Sequence, residues 1–174
     1  MDDRSLKKLK RYLVKGNEYV TYGILAAAVI MIFATEAEIV STIIIVVISA
    51  LLWAILYFIG YSSVKKRFNE LIERLKKLGR LEIAVNDFEN AQQFFGDRVR
   101  IGKHCIYVKG YGVICFFDDI TGITYSEYIP NSTTRNLYAN TADGKQQFIA
   151  EVSDKNAIYG QQIIDAVMQR IGMR

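Results

Sequence analysis

The stretch that decides the fold is residues 101–125, IGKHCIYVKGYGVICFFDDITGITY. Two short apolar runs, Lys103–Lys109 and Gly112–Phe117, flank the glycine-rich segment Lys109-Gly110-Tyr111-Gly112. Both runs are rich in β-branched and aromatic residues and too short for helices, so they read as strands joined by a turn. Asp118-Asp119 breaks the second run. Ile123–Ile129 then alternates, with Ile123, Tyr125 and Ile129 on one face.

Toward the C-terminus, Pro130-Asn131-Ser132 is a loop, and Arg135–Thr141 and Lys145–Val152 flank Asp143-Gly144, a strong hairpin signal. From Asp154 the pattern is helical, with Ile164, Val167, Met168 and Ile171 as the apolar stripe and Ser153 or Asp154 as the cap. Toward the N-terminus, Arg98–Ile101 adds a strand. Asn86 opens a short helix, with Glu89 completing a capping box and Phe88, Ala91, Phe94 and Phe95 on one face. Leu81–Val85 alternates and is expected to be a strand. Strands that do not alternate with helices exclude a doubly wound sheet.

Residues 62–79, SSVKKRFNELIERLKKLG, have Val64, Phe68, Leu71, Leu75 and Leu78 at helical spacing, an amphipathic helix ending at Gly79. Its polar face carries Lys65, Lys66, Arg67, Arg74, Lys76 and Lys77. Such a face either meets anionic headgroups, at roughly 1 kcal/mol per basic residue, or is the solvated side of a helix packed on the following domain. A short coiled coil is a third reading.

Before this segment lie two uncharged apolar runs, Tyr19–Ala34 and Ile39–Tyr61, separated by Thr35-Glu36-Ala37-Glu38. They are expected to form a transmembrane helical hairpin, since ~20 apolar residues span a bilayer. Six Lys/Arg precede the first run, Lys65, Lys66 and Arg67 follow the second, and the link has no basic residue. That bias puts both termini in the cytoplasm of a two-span plasma-membrane protein. A cleaved signal peptide fits less well, because a second apolar run follows at once. Gly23/Ala27 and Ala50/Ala54 have the spacing of close helix packing, within the hairpin or in a homo-oligomer. Neither run contains an ionisable residue, which argues against a transporter or channel.

The expected organisation is therefore a basic segment 1–18, a membrane hairpin 19–61, an amphipathic helix 62–80 and a cytoplasmic α+β domain 81–174. The rhythm of residues 101–125, with Asp143-Gly144-Lys145 and the final helix, resembles the pleckstrin-homology-like (PH-like) domains of small bacterial membrane proteins. The whole chain resembles uncharacterised bacterial two-span proteins carrying such a domain. The resemblance implies an antiparallel PH-like β-barrel or roll closed by a C-terminal helix. It also implies an interaction or regulatory role at the inner membrane face. Anionic-lipid sensing through the basic helix is the alternative, and a membrane-bound enzyme the remaining one.

The 174 residues are 51% hydrophobic with net charge +4, but the charge is uneven. Residues 1–18 carry net +3, residues 62–80 carry +5, and residues 81–174 carry −2. An acidic C-terminal domain argues against nucleic acid as partner. The chain is read as non-enzymatic, with no catalytic residue, cofactor or metal site. His104, the single histidine, has no nucleophile motif around it. Cys105 and Cys115 lack metal-ligand spacing and read as buried thiols on neighbouring strands, or as a regulatory disulfide. Lys109–Gly112 lacks the spacing of a phosphate loop. Asp118-Asp119 reads as solvated, and the sequon Asn131-Ser132-Thr133 as cytoplasmic. Candidate headgroup contacts are Lys65, Lys66, Arg67, Arg98, Arg100 and Lys103. The partners expected are the lipid bilayer and an unidentified protein, with a second copy of the chain as a further candidate.

Overall fold

The computed structural model describes residues 3–14 and 39–172. The apolar runs around Lys109–Gly112 pair as β3 (Cys105–Val108) and β4 (Val113–Phe116). They are preceded by α1 (Asp3–Val14), α2 (Ile39–Lys77), α3 (Leu81–Glu89), β1 (Gln92–Phe94) and β2 (Val99–Ile101). They are followed by β5 (Ile120–Tyr128), β6 (Thr134–Thr141), β7 (Gln146–Ser153) and α4 (Ala157–Gly172). The strands form two antiparallel sheets, in the orders β1-β2-β3-β4 and β5-β6-β7.

The four-stranded sheet is the middle of three layers. In register, Cys105 lies opposite Phe116 and Ile106 opposite Cys115. Side chains alternate across a strand, so Cys105, Tyr107, Ile114 and Phe116 face one way. There they meet Leu9, Tyr12 and Leu13 of α1, Phe68, Ile72 and Leu75 of α2, and Ala84, Val85 and Phe88 of α3. Val99, Ile101, Ile106 and Cys115 face the other way, against Leu137, Ile149 and Val152 of the second sheet and Ile163 and Val167 of α4. With both faces covered, β3 is buried along its whole length. Unbroken apolar runs are what such a strand needs. Each fully buried Leu, Ile or Phe contributes about 1.5–3 kcal/mol.

The Lys109–Gly112 turn seats the helical layer. The Gly110 N–H donates to the Tyr12 carbonyl (3.1 Å) and the Gly112 N–H to the Leu13 carbonyl (3.0 Å). These are carbonyls that the end of a helix leaves without an intrahelical partner. Gly112 has φ +65°, and a Cβ there would lie 3.3 Å from the Val64 carbonyl oxygen of α2. The turn thus clamps α1 and α2 to the sheet.

Several expectations require correction. The sheets stay separate, four strands and three, and neither closes, so the PH-like β-barrel is not formed. Among the described residues, no helix is long and apolar enough to cross a membrane. The two-span transmembrane hairpin and the plasma-membrane location, with its cytoplasmic termini, are accordingly not supported. The run Tyr19–Ala34, the link Thr35–Glu38 and the Gly23/Ala27 pair lie outside the described residues. The run from Ile39 and the amphipathic segment are one continuous helix, α2. Its later part turns Phe68, Ile72 and Leu75 into the core, and Val64 and Leu71 pack against that core. Leu78 is 55% exposed. The amphipathic face is therefore spent on packing, with the charged side outward.

Leu81–Val85 is not a strand but the first part of α3. Its alternation is accidental: Leu81, Ala84, Val85 and Phe88 recur at helical spacing and are all buried. Asn86 lies inside that helix rather than opening it. Phe94 belongs to β1, which pairs with β2 across the turn Phe95–Arg98.

Candidate interaction surfaces

The buried polar groups serve the scaffold. Asp87 on α3 is 8% exposed. Its carboxylate accepts the backbone N–H groups of Lys103 (2.7 Å), His104 (3.2 Å) and Cys105 (3.0 Å), together with the Tyr107 hydroxyl (3.2 Å). Tyr107 also donates to the Ala84 carbonyl at 2.7 Å. Helix α3 is thereby bonded to the start of β3. His104 is exposed beside this junction, and its carbonyl accepts the Phe117 N–H at 2.9 Å.

Arg100 is likewise structural. Its guanidinium lies 4.8 Å from the ring centroids of both Tyr12 and Phe88. Its Nε donates to Asp97 at 2.6 Å, a bond that holds the guanidinium above its ordinary pKa. Asp97 also pairs with Lys109 at 3.6 Å. Arg98 instead stacks over Phe95 at 4.9 Å, and the Lys103 side chain is exposed. Of the expected headgroup contacts Arg98, Arg100 and Lys103, Arg100 is therefore committed to a core stack, and the structure joins the three in no common site.

The two thiols point to opposite faces of the sheet, Cys105 toward the helices and Cys115 toward the second sheet. They are free, and that geometry excludes a disulfide between them. Burial pushes both thiols up, Cys115 to about 12. Asp119 accepts both of its contacts from Arg80, at 3.0 and 2.8 Å, while the same guanidinium lies over Phe116 at 5.1 Å. Among the described residues, no group of three His, Cys, Asp or Glu side chains is placed to hold a metal ion.

Two surfaces face outward. The first is the helical layer. Lys10 and Arg11 of α1 and Lys65, Lys66, Arg67, Arg74 and Lys77 of α2 are exposed. They form no ion pair among the described residues, whereas Lys7, Lys8 and Lys76 are paired with Asp3, Glu89 and Glu73. Just before the basic run, α2 exposes Leu51, Ile55, Phe58 and Ile59.

The second is an open cleft of about 580 Å³ between β1 and α4. Gln92, Gln93, Phe94 and Phe95 form one wall. Tyr159, Gln162, Asp165, Ala166 and Gln169, a stripe along α4, form the other. Phe95 stacks on Tyr159 at 5.4 Å, with φ +52°. Sequence reasoning did not find this cleft: its walls lie far apart in the chain, Phe94 and Phe95 read as part of a helix face, and only the apolar stripe of the last helix was singled out.

Neither a family model nor a curated protein nor a solved structure matches this chain. The fold and surfaces define a three-layer α+β protein with a basic helical side and a cleft at the opposite sheet edge.

Proposed function

We propose that the chain is a non-enzymatic interaction module whose basic helical layer meets an anionic partner surface. One observation carries this reading. The apolar sides of α1 and of the later part of α2 are buried against the sheet, which turns outward a row of lysines and arginines that form no ion pair among the described residues. The buried Asp87 and Tyr107 are meanwhile occupied with one another and with the backbone, and the half-buried Arg100 with Asp97. An exposed positive field of this kind speeds and orients encounter with negative surfaces.

Two sources share this chemistry, anionic headgroups and a carboxylate-rich protein face. Vesicles containing phosphatidylglycerol and soluble polyglutamate distinguish them. Replacing Lys65, Lys66 and Arg67 by Gln in the full chain is expected to weaken capture by whichever probe binds roughly a hundredfold. Unchanged capture by both probes overturns the proposal, as does the failure of both to bind the unsubstituted chain.

A further inference from the structure

The cleft between β1 and α4 lies on a different surface and calls for a different occupant. β1 is an edge strand, hydrogen-bonded to β2 alone. The Lys109 N–H donates to the Arg98 carbonyl and the Gly102 N–H to the Cys105 carbonyl. Residues 98, 100 and 102 therefore turn their backbone groups toward β3, which leaves 99 and 101 facing β1. Their partners are Phe94 and Gln92. By antiparallel alternation, the N–H and C=O of Gln93 point outward from the sheet edge, and no backbone group among the described residues takes them up.

The side chains of the cleft match a peptide backbone. Gln92, Gln162 and Gln169 each bring a carboxamide to the lining, the same donor and acceptor pair as a peptide unit, while Gln93 offers its backbone. Phe94, Tyr159 and Ala166 supply apolar contact, and Asp165 is the single formal charge. The α4 stripe from Tyr159 to Gln169 is about 15 Å long at 1.5 Å per residue. An extended chain of roughly four or five residues covers that length.

We infer that this cleft binds an extended peptide segment of a partner protein. The segment adds as a strand beside β1 and places one lysine or arginine against Asp165. Edge-strand addition takes affinity from main-chain hydrogen bonds and specificity from alternate side chains. The segment's backbone pairs with Gln93 and with the carboxamides of both walls. Its cationic side chain supplies the charge complementary to Asp165.

The test uses the full chain and a fluorescein-labelled extended pentapeptide, threonine-valine-lysine-valine-threonine, followed by anisotropy and by amide chemical shifts. Saturable binding is expected, with shifts at Gln93 and along Tyr159–Gln169. Methylating alternate backbone nitrogens of the peptide is expected to weaken binding at least about tenfold. Asp165→Lys, an exposed change, is expected to weaken it similarly and to favour a peptide with glutamate in place of lysine. The Gln substitutions of Lys65, Lys66 and Arg67 leave peptide affinity unchanged, which separates this cleft from the basic layer. The inference is overturned if the lysine peptide does not bind, if methylation has no effect, if Asp165→Lys leaves affinity unchanged, or if the shifts map elsewhere.

Discussion

The Asp87 carboxylate occupies the space that a side chain at residue 102 would need. A Cβ on Gly102 would overlap the carboxylate, which is already bonded to the amides of Lys103, His104 and Cys105. The absence of a side chain at 102 and the presence of one at 87 are a single structural feature. Together they bond α3 to the start of β3, and so fix the helical layer on the sheet.

Gly102→Ala should therefore act through Asp87, displacing the carboxylate from its amides. Asp87→Ala leaves those amide donors without their acceptor, each worth about 1–3 kcal/mol when buried, while the Tyr107 hydroxyl keeps the Ala84 carbonyl. Urea denaturation should show a loss of roughly 2–4 kcal/mol for either variant. A double variant should cost much less than the sum, because both changes break the same contact.

Arg100 and Tyr12 give a contrasting pair. Arg100→Lys loses the planar stack on Tyr12 and Phe88, and should destabilise by about 1–2 kcal/mol. Tyr12→Phe keeps the ring under Arg100. It removes a buried hydroxyl that has no hydrogen-bond partner among the described residues, so thermal unfolding should show an unchanged or raised midpoint.

The cysteines predict chemical silence. Both thiols are buried on opposite faces of one sheet, with their ionisation suppressed by burial. A thiol reagent at pH 8 should label neither in the native chain and both in urea. Mass spectrometry after mild oxidation should find no link between Cys105 and Cys115.

Alkali should weaken the fold. Burial raises the pKa values of Tyr12, Tyr107, Cys105 and Cys115 above those of the unfolded chain. A raised folded pKa gives stability that is complete below the unfolded value and is lost as pH climbs toward the folded one. The urea midpoint should hold up to about pH 8, where free thiols begin to ionise, and decline further beyond about pH 10 as free tyrosines do.

How much of this was legible in the sequence depends on the range of the interaction. The strands around Lys109–Gly112 were readable because a buried strand needs a continuous apolar run, and the run and its glycine turn are local. The hairpin at Asp143-Gly144 was readable for the same reason; the Gly144 N–H closes it on the Thr141 carbonyl at 2.9 Å. Helix α3 was misread because Leu81–Val85 satisfies two periods, and only Phe88 a turn later decides between them. Strand β1 has the weak strand formers Gln92 and Gln93 and exists by pairing with β2. Whether two sheets close into a barrel depends on strand edges far apart in sequence, which no local pattern encodes. The basic residues of α2 were visible as a charged face. Arg100 looked equally available, and only the stacking of Tyr12 and Phe88 on it shows otherwise. The β1–α4 cleft carried no local signal at all.

Flotation of the full chain with vesicles containing phosphatidylglycerol, run beside polyglutamate binding, asks whether the outward basic layer is the contact surface. Salt-sensitive capture by at least one probe is expected. Changing Lys65, Lys66 and Arg67 to Gln should reduce it by about 3 kcal/mol, roughly a hundredfold, while urea stability stays the same. Capture by neither probe, or capture indifferent to those three substitutions, would contradict that role of the layer.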